Sequence, residues 1–451
     1  MDAADLDYRA RTRSGCVPPE LVSRLLDRGH AAVVGDLAGG GEWFCAREWA
    51  RLLGERGRQA EALDVLGPYL ATSWWTAVEA TATLLEDWGR VEEAIDITRV
   101  RMELGHPMAL ESYARLLARH GRAQEAFTLL LPHVDDWSLA RVLVDISQDA
   151  GRDEEAAVLL AGRIPAEHRC DGPWCCRGRL DPDTAAGLLA TIRERQGSVD
   201  DAIALLRTRQ ITSVNDRDQL AGLLARHDRI EELYAYAVTD PLGHATQRLA
   251  ELLEERGDVE GAIAVYRQAL DPVADDPNAA YGLAQLLGRH GRGDEAIDVM
   301  RVQADARPGE DWILHTLADL CLDQGRPEVG LAHLDDLKAR RGGEEEWDLF
   351  WMRLPLIAAG AGVDEAVEQA RAHPEGDTWY AAEHVARLLA DAGRTEEAVA
   401  VLDRHVPAHR HDLAGYLIDL GRIDDAVAVL QQRSPRPPEP SPGPWHDEPP
   451  F

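Results

Sequence analysis

The chain has 451 residues and carries 48 basic against 80 acidic side chains, a formal charge of −32. A surface this acidic repels nucleic acids and anionic membranes, so neither is expected as a primary partner. The hydrophobic fraction of 45% is sufficient for a packed core and excludes a wholly disordered chain. The basic residues are almost all arginine, as is typical of proteins from GC-rich genomes. The one lysine, Lys338, is followed by alanine, which excludes a phosphate-binding loop of the Gly-Lys-Ser/Thr type.

No segment of the sequence predicts export or membrane insertion. The start, from Met1 to Asp7, is acidic where a signal peptide needs basic residues followed by an apolar run. The best apolar stretch, 354–363, is shorter than the roughly 18 residues that span a bilayer. Six cysteines at irregular spacing do not predict a disulfide framework. We therefore expect a cytoplasmic protein.

Residues 1–41 precede the regular part of the chain. Pro18-Pro19-Glu20 is followed by apolar residues at helical spacing between Leu21 and Leu26, which predicts a capping helix. Gly39-Gly40-Gly41 predicts a loop, because these glycines lack the spacing and the preceding strand of a dinucleotide-binding fingerprint. We expect this segment to close one end of the fold.

From residue 42 onward one motif recurs, and Gly57-Arg58-Gln59-Ala60-Glu61-Ala62 is its first copy. There are twelve copies, spaced by 28–36 residues with one exception of 46 residues. Their turn positions are Gly57, Gly89, Gly121, Gly151, Gly197, Asp228, Gly257, Gly291, Gly325, Ala361, Gly393 and Gly421. Asp228 and Ala361 mark the two copies in which the pattern lacks the glycine.

Each column of the motif predicts part of a helical hairpin. The turn glycine accepts a positive φ angle, alanine is common seven residues before it, and an apolar residue lies five before it in every copy. An acid four residues after the turn falls in the first turn of the next helix, where the helix dipole favours it, and alanine follows it in ten copies. A single amphipathic hairpin cannot bury both faces. The sequence therefore predicts an all-α solenoid of about twelve stacked helix-turn-helix repeats.

This pattern resembles the tetratricopeptide repeat family. The match is clearest between Ala250 and Gly325, where the spacing is 34 residues, and it covers roughly residues 42–432. The chain departs from the family in having smaller residues, such as Ala46, in place of the bulky aromatic near the start of the first helix, and in an irregular closing proline. The resemblance implies a right-handed α-solenoid whose first helices line a concave groove that binds a protein or peptide.

The 46-residue spacing contains an insertion of about fourteen residues near 166–180. His168, Cys170, Cys175 and Cys176 offer four soft ligands within nine residues, enough in number for tetrahedral zinc. Their spacing is not the paired Cys-x-x-Cys of a typical zinc site. A metal- or thiol-dependent activity at the insertion is therefore one alternative function, and an ordinary surface insertion without chemistry is the other interpretation.

The end of the chain has a different composition. Eight prolines fall within the last seventeen residues, which predicts an extended, disordered tail over residues 433–451. Such a tail could dock in the protein's own groove. In that case, deleting residues 433–451 would change the affinity for a partner.

Two sets of residues are candidates for partner binding. The resemblance implies that side chains thirteen and ten residues before each turn point into the groove. The arginine set occupies these columns, or lies one helical turn later, in the early copies and could hold a carboxylate or an acidic peptide. It consists of Arg47, Arg51, Arg115 and Arg141. The aromatic strip occupies the columns of the later copies and could anchor a partner's apolar side chains. It consists of Tyr281, Trp312, His315, Trp351 and Tyr380. The alternative is that these arginines are solvated and these aromatics pack between repeats.

Catalysis has little support in the sequence. Neither Gly-x-Ser-x-Gly nor His-Glu-x-x-His occurs, and no cofactor is predicted. We therefore predict a non-enzymatic scaffold or regulator that binds a protein or peptide through its groove. A self-assembling structural array is a further alternative, because open solenoids can stack end to end.

Overall fold

The computed structural model describes residues 2–164, 179–209, 213–214, 217–240, 242–270, 277–307, 309–343 and 345–431. Over these residues the chain forms twenty-eight α-helices, two short 3-10 turns and one two-stranded ladder. The predicted all-α repeat fold is confirmed. The chain divides into two compact units. The terminal unit combines Met1–Arg90 with Gln369–Phe451, and the central unit is Val91–Glu368.

Three helices precede the repeats: α1 (Ala3–Thr12), α2 (Pro19–Asp27) and α3 (Ala31–Gly39). The first helices of the twelve hairpins are α4 (Trp43–Glu55), α6 (Trp75–Asp87), α8 (Ala109–Arg119), α10 (Trp137–Ser147), α12 (Pro182–Arg195), α14 (Gln219–Arg226), α16 (His244–Glu255), α18 (Pro277–Arg289), α20 (Asp311–Asp323), α23 (Arg353–Ala361), α25 (Trp379–Asp391) and α27 (Val406–Asp419). The short helix α22 (Trp347–Phe350) precedes α23.

The second helices of the hairpins are α5 (Gln59–Ala71), α7 (Val91–Glu103), α9 (Ala123–Leu130), α11 (Asp153–Ala161), α13 (Val199–Arg207), α15 (Ile230–Ala237), α17 (Val259–Ala269), α19 (Gly293–Ala306), α21 (Pro327–Arg340), α24 (Val363–Ala372), α26 (Thr395–Leu402) and α28 (Ile423–Gln431). The 3-10 turns are Leu131–His133 and Asp403–His405. Strands β1 (Ser213–Val214) and β2 (Arg217–Asp218) pair antiparallel in the linker between α13 and α14.

Each hairpin turns at a residue with left-handed backbone. Eleven of the twelve turns use glycine, with φ between 66° and 101°, and the sixth uses Asp228 with φ 58°. The sequence pattern places the tenth turn at Ala361. In the structure this turn lies one residue later, at Gly362 (φ 101°). Alanine pays a steric penalty at positive φ and continues helix α23 instead, so the glycine that follows makes the turn.

Alanines at two columns of the motif, one on each helix, allow the two helices of most hairpins to pack closely. Ala50 and Ala62 in the first hairpin, and Ala250 and Ala262 in the seventh, are at most 1% exposed. Larger apolar side chains pack around these contacts, and in the central unit one continuous core cluster extends from Ala190 to Leu356. A fully buried leucine in such a core contributes roughly 1.5–3 kcal/mol, so the stacked hairpins, and not any single hairpin, hold the unit together.

In the terminal unit, helix α2 packs against helix α27. The buried side chain of Leu21 approaches Gly415, where an added Cβ would lie 3.4 Å from the leucine Cδ2. Arg28 donates to Asp419 at 2.9 Å. A partly exposed ion pair of this kind contributes about 1 kcal/mol or less, so the apolar contact dominates. Helix α2 thereby covers part of the last hairpin, a surface that end-to-end stacking of chains would use.

Two sequence-based expectations, on membrane-spanning segments and on cysteines, can be compared with the structure. In the part of the chain that the structure describes, no helix is both long and apolar enough to cross a bilayer.

Cys16, Cys45 and Cys321 are free, buried thiols. Burial raises the pKa of Cys45 to about 12, with Glu42 adding to the effect. These three cysteines therefore remain protonated and pack as small apolar residues.

Gly54 provides a test of hairpin stacking. A Cβ added there would lie 2.5 Å from Cζ2 of Trp88, the residue that caps α6. We predict that Gly54→Ala lowers the thermal midpoint, although alanine favours an isolated helix by about 1 kcal/mol. The matched variant Gly288→Ala in α18 places its Cβ no closer than 3.8 Å to a neighbour and should raise the midpoint. Circular dichroism melts measure both.

A double variant separates the steric effect of Gly54→Ala from its effect on helix propensity. Combining Gly54→Ala with Trp88→Ala should restore the gain that alanine brings to the helix, relative to Trp88→Ala alone. An increase in midpoint for Gly54→Ala in the wild-type background would contradict the close contact.

His333 makes stability depend on pH. It is buried in α21, and its Nε2 has no hydrogen-bond partner among the residues that the structure describes. Burial lowers the pKa of His333 below the ordinary value, against the opposing effect of Asp305. Its contribution is therefore fully present above the unfolded-state pKa of about 6.5 and is lost as pH falls through the folded-state value. We expect His333→Gln to reduce the difference in melting temperature between pH 7.5 and pH 5.5. The exposed control His133→Gln should leave that difference unchanged.

Candidate functional site

In the central unit, the first helices of four successive hairpins line a groove of about 850 Å³. Apart from Arg226, which lies two positions before its turn, its first-helix residues lie between six and fourteen positions before each turn, because residues three or four apart share one face of a helix. They are Trp137 and Arg141 from α10, Thr184, Gly187, Leu188 and Thr191 from α12, Gln219, Gly222 and Arg226 from α14, and His244, Gln247, Arg248 and Glu251 from α16. Arg209 and Asp218 enter from the linker between α13 and α14.

Arg209 is a half-buried cation without an ion pair to any described carboxylate. Its Nη1 donates to Oε1 of Gln219 at 2.8 Å, and its Nε is buried with no partner among the described residues. Burial lowers the pKa of Arg209, and Asp183, Asp181 and Asp218 oppose this effect through space. A guanidinium stays charged even so. The groove therefore contains a partly desolvated positive charge whose hydrogen bonds are incomplete.

Gly187 makes room for this arrangement. A Cβ at this position would lie 2.7 Å from Oε1 of Gln219 and 2.8 Å from Nη1 of Arg209. The amide of Gln219 is fixed in turn, because its Nε2 donates to the carbonyl of Gly187 at 2.9 Å and to Oγ1 of Thr191 at 3.2 Å. The position of the Arg209 guanidinium is therefore set by its hydrogen bond to the fixed amide of Gln219.

Arg141 is the second cation without an ion pair to a described residue. Its Cζ lies 5.0 Å from the centroid of the Trp137 ring, and that tryptophan is 43% exposed. An exposed cation–π contact contributes about 0.5–1 kcal/mol. The indole ring covers only the flat face of the guanidinium, so this contact does not use the N–H donors at the guanidinium edge.

The other charged side chains of the groove have partners within the chain. Nε and Nη2 of Arg226 each donate to Glu194 at 2.9 Å. Arg248 pairs with Glu251 at 3.2 Å and with Glu255 at 3.0 Å. On the acidic side, Asp218 accepts from the hydroxyl of Tyr236 at 2.6 Å and from the N–H of Ala221 at 2.8 Å. Arg141 and Arg209 are thus the two groove arginines that form no ion pair with a described carboxylate.

The structure separates the members of the arginine set. Arg47 and Arg51, in the terminal unit, both pair with Glu48, at 3.1 and 2.9 Å. Arg115 pairs with an acid on its own helix at 3.0 Å and with Asp145 of the next first helix at 3.1 Å. Among these four, Arg141 is the one that lines the described groove.

The aromatic strip is partly exposed. Tyr281 and Trp312 are each 42% exposed, and the indole N–H of Trp312 donates to Glu310 at 3.0 Å. Tyr380, in the terminal unit, is half-buried and its hydroxyl donates to Glu375. Two members of the strip thus present their rings to solvent, and a third is held by a hydrogen bond to its own loop.

His315 and Trp351 belong to the strip and contact each other. Their ring centroids are 5.0 Å apart, and Nδ1 of His315 lies 3.0 Å from Asp319. Trp351 packs against the core cluster. Removing the Trp351 ring would therefore disturb packing as well as any surface for a partner.

The predicted metal ligands His168, Cys170, Cys175 and Cys176 lie outside the described residues, as does the proline-rich tail 433–451. Within the described ranges, no group of three or more His, Cys, Asp or Glu side chains is arranged to hold a metal ion.

Comparison with known proteins identifies the repeat. Residues 245–311 match a family model described as tetratricopeptide repeat. The chain is 26% identical over 262 residues to cellulose synthase operon protein C of Pseudomonas fluorescens (strain SBW25), covering 57% of this chain and 17% of that protein. It is 26% identical over 303 residues to the protein of the same name from Xanthomonas axonopodis pv. citri (strain 306), covering 51% and 20%. The chain is a tetratricopeptide-like repeat protein that spans a fifth or less of the length of these relatives.

Among solved structures, the chain is similar to one in the Naa15/Naa10 complex bound to HypK-THB. The match covers 92% of this chain and 79% of that one, at 13% identity and a TM-score of 0.29. At this TM-score the likeness carries no weight for function or for the arrangement of the repeats.

Replacing Arg209 and replacing Arg195 should have opposite effects on the stability of the protein. Arg195 has a carboxylate partner, with its Nε donating to Asp153 at 2.9 Å, whereas Arg209 has none among the described residues. Replacing a poorly compensated buried charge with an apolar side chain of similar length is neutral or stabilising, and removing one partner of a buried pair is destabilising. We expect Arg209→Met to raise the melting temperature and Arg195→Met to lower it, as measured by calorimetry. A decrease of similar size in both variants would show that Arg209 is compensated.

Proposed function

We propose that this protein is a non-enzymatic, cytoplasmic scaffold or regulator that binds a polypeptide partner along the first-helix face of its repeats. The observation that carries the proposal is the groove lined by α10, α12, α14 and α16, whose residues occupy equivalent columns in four hairpins. Because packed neighbouring hairpins hold this backbone in place, binding orders few residues of the scaffold. We further propose that residues 42–432 carry this activity, between the N-terminal segment 1–41 and the tail.

The aromatic strip supports the same proposal in a second region of the central unit. Tyr281 on α18 and Trp312 on α20 belong to neighbouring first helices and expose large rings to solvent. Rings of this kind supply contact area at a low cost in side-chain entropy. Trp351, His315 and Tyr380 have packing or hydrogen-bond partners of their own, so we assign them a supporting role in the contact.

The arginine set contributes unequally under this proposal. Arg47, Arg51 and Arg115 already pair with acids of the chain, so a partner's carboxylate would compete with those acids for them. Arg141 has no such competitor among the described residues. We therefore propose Arg141 as the principal member of the set and the other three as a weaker patch.

The alternative functions have less support. A metal- or thiol-dependent activity at the insertion rests on His168, Cys170, Cys175 and Cys176, none of which is described. Stoichiometric zinc in the untagged protein, lost on Cys170→Ser and Cys175→Ser, would be needed to favour it. A self-assembling array needs free end surfaces, and α2 covers part of α27.

Affinity capture from the native cell's lysate tests the proposal. We expect the double variant Tyr281→Ala/Trp312→Ala to lose a partner that the wild type captures, because exposed aromatic anchors carry about 2 kcal/mol or more each, which is about thirtyfold in affinity. The control Tyr234→Ala/Val302→Ala removes two exposed apolar side chains from the second helices α15 and α19. It should capture as the wild type does, as quantified by mass spectrometry.

Helicity and melting temperature of both double variants provide the folding control. Equal capture of the same proteins by wild type and by Tyr281→Ala/Trp312→Ala would place the binding surface elsewhere and overturn the assignment to the strip.

A further inference from the structure

Resting on the proposed function, we propose that α2 is an internal occupant of the first-helix face of the last hairpin. We further propose that this face binds an amphipathic helix of the partner, in which a leucine is followed three and seven residues later by arginine. Helix α2 competes with that partner helix, and its release uncovers the face. Three observations support this role: the columns of α27 that α2 covers, the side chains that α2 presents, and the exposure of the contact.

Helix α2 lies against the columns of α27 that correspond to the groove of the central unit. His411, Gly415 and Asp419 are ten, six and two positions before the last turn, at Gly421. Because they are four residues apart, they share one face of α27. In the central unit the same three columns line the groove, through Arg141, Gly187 and Gln247, through Thr191, Gly222 and Glu251, and through Arg226. On the last hairpin, the equivalent face is therefore taken by a helix of the chain itself.

Helix α2 presents one leucine and two arginines to this face. Leu21, Arg24 and Arg28 are three and four residues apart, so they share one side of the helix. A Cβ added at Gly415 would lie 3.4 Å from Cδ2 of Leu21 and 3.5 Å from Cζ of Arg24. The carboxylate of Asp419 lies 2.9 Å from Nη2 of Arg28 and 3.5 Å from Nη1 of Arg24. The glycine thus leaves room for the helix and the carboxylate attracts both of its cations. A partner helix with the same three side chains would fit by the same contacts.

The exposure of the contact allows α2 to leave. The side chains of Arg24 and Arg28 are 42% and 54% exposed, and ion pairs in such positions contribute little to stability. Helix α2 also contacts α3 and α4, so it stays attached to the N-terminal segment when it leaves α27. A tethered helix competes at a high effective concentration. A partner that also contacts other hairpins can therefore displace α2, whereas an isolated helix of equal affinity cannot.

His411 is a polar mismatch within the same contact. Its Nε2 is buried with no hydrogen-bond partner among the residues that the structure describes, and burial lowers the pKa of His411. On α27, Arg410 lowers this pKa further and Asp412 raises it. From the N-terminal segment, Arg13 lowers it and Glu20 raises it. The docked state therefore leaves one imidazole nitrogen without the hydrogen bond that water would supply, a cost that release of α2 removes.

Fluorescence anisotropy of the full chain tests the proposal with two labelled peptides. The native peptide has the sequence of residues 17–29, and the glutamate peptide is the same segment with Arg24→Glu and Arg28→Glu. In the wild type, α2 occupies the face, so both peptides should bind weakly. The chain variant Arg24→Glu/Arg28→Glu repels its own α2 from Asp419. We expect it to bind the native peptide at least about tenfold more tightly than the wild type does, the gain that follows if α2 is docked for about nine-tenths of the time or more.

The variant Asp419→Arg should reverse the preference between the peptides. It repels both the chain's own α2 and the native peptide, so we expect it to bind the glutamate peptide at least about tenfold more tightly than the native one. The control Arg11→Glu/Arg56→Glu reverses two exposed arginines of the terminal unit outside α2. It should bind the native peptide within about threefold of the wild type. Hydrogen exchange of residues 19–27 should rise in both opened variants and stay unchanged in the control.

Three results would overturn the proposal. The first is binding of the native peptide by the wild type as tightly as by Arg24→Glu/Arg28→Glu, because α2 would then leave the face free. The second is no binding of either peptide by the two opened variants when these have wild-type helicity, because the face would then accept no helix. The third is equal binding of the native peptide by Arg24→Glu/Arg28→Glu and by the control, which would reduce the effect to the total charge of the chain.

The proposed function and this inference can fail separately. A lysate protein that is lost on Tyr281→Ala/Trp312→Ala but captured equally by the wild type and by Arg24→Glu/Arg28→Glu would overturn the role of α2 as a competitor and leave the scaffold function in place. If the peptides bind as expected and no lysate protein depends on the aromatic strip, the site on α27 stands and the strip assignment falls.

Discussion

The close approach of the two helices in each hairpin is the constraint on which the rest of the structure depends. Alanines such as Ala114 on the first helix and Ala126 on the second have no exposed surface. Any larger side chain would separate the helices and change how the next hairpin stacks. Because this spacing recurs, equivalent columns of successive first helices remain on one face. That regularity places residues as distant in sequence as Trp137 and Glu251 in a single groove.

Much of the fold could be predicted from the sequence, because the repeat columns report local requirements. Positive φ at a turn requires glycine, and the one misplaced turn, at Ala361 instead of Gly362, was a shift of one residue in a copy whose spacing is irregular. The site was harder to predict. The columns indicated Arg141 but not Arg209, which lies in a linker and reaches the groove through space that Gly187 leaves free. Arg115 also satisfied the column rule, yet Asp145, thirty residues later, pairs with it.

A second regularity of the chain ties successive hairpins together at their turns. Glu194 accepts from Arg226 and His227 of the next first helix, and Glu254 is bonded in the same way by Arg289 and His290. The hydrogen bond from Arg289 holds the pKa of Glu254 below its ordinary value, so this glutamate is a charged acceptor at neutral pH. Basic residues just before a turn are thereby committed to the scaffold. This distinguishes the paired Arg226 from Arg141 and Arg209.

The contact between α2 and α27 sets an order for folding during synthesis. In a repeat protein each hairpin contacts its neighbours and can fold as soon as they leave the ribosome. Arg28 and Asp419, however, are 391 residues apart. At roughly 5–20 residues per second, α2 waits about 20–80 s for its partner helix. During that interval the face of α2 that carries Leu21 lacks its cover from α27. The central unit has already been translated by then, so the nascent chain completes its middle before its ends.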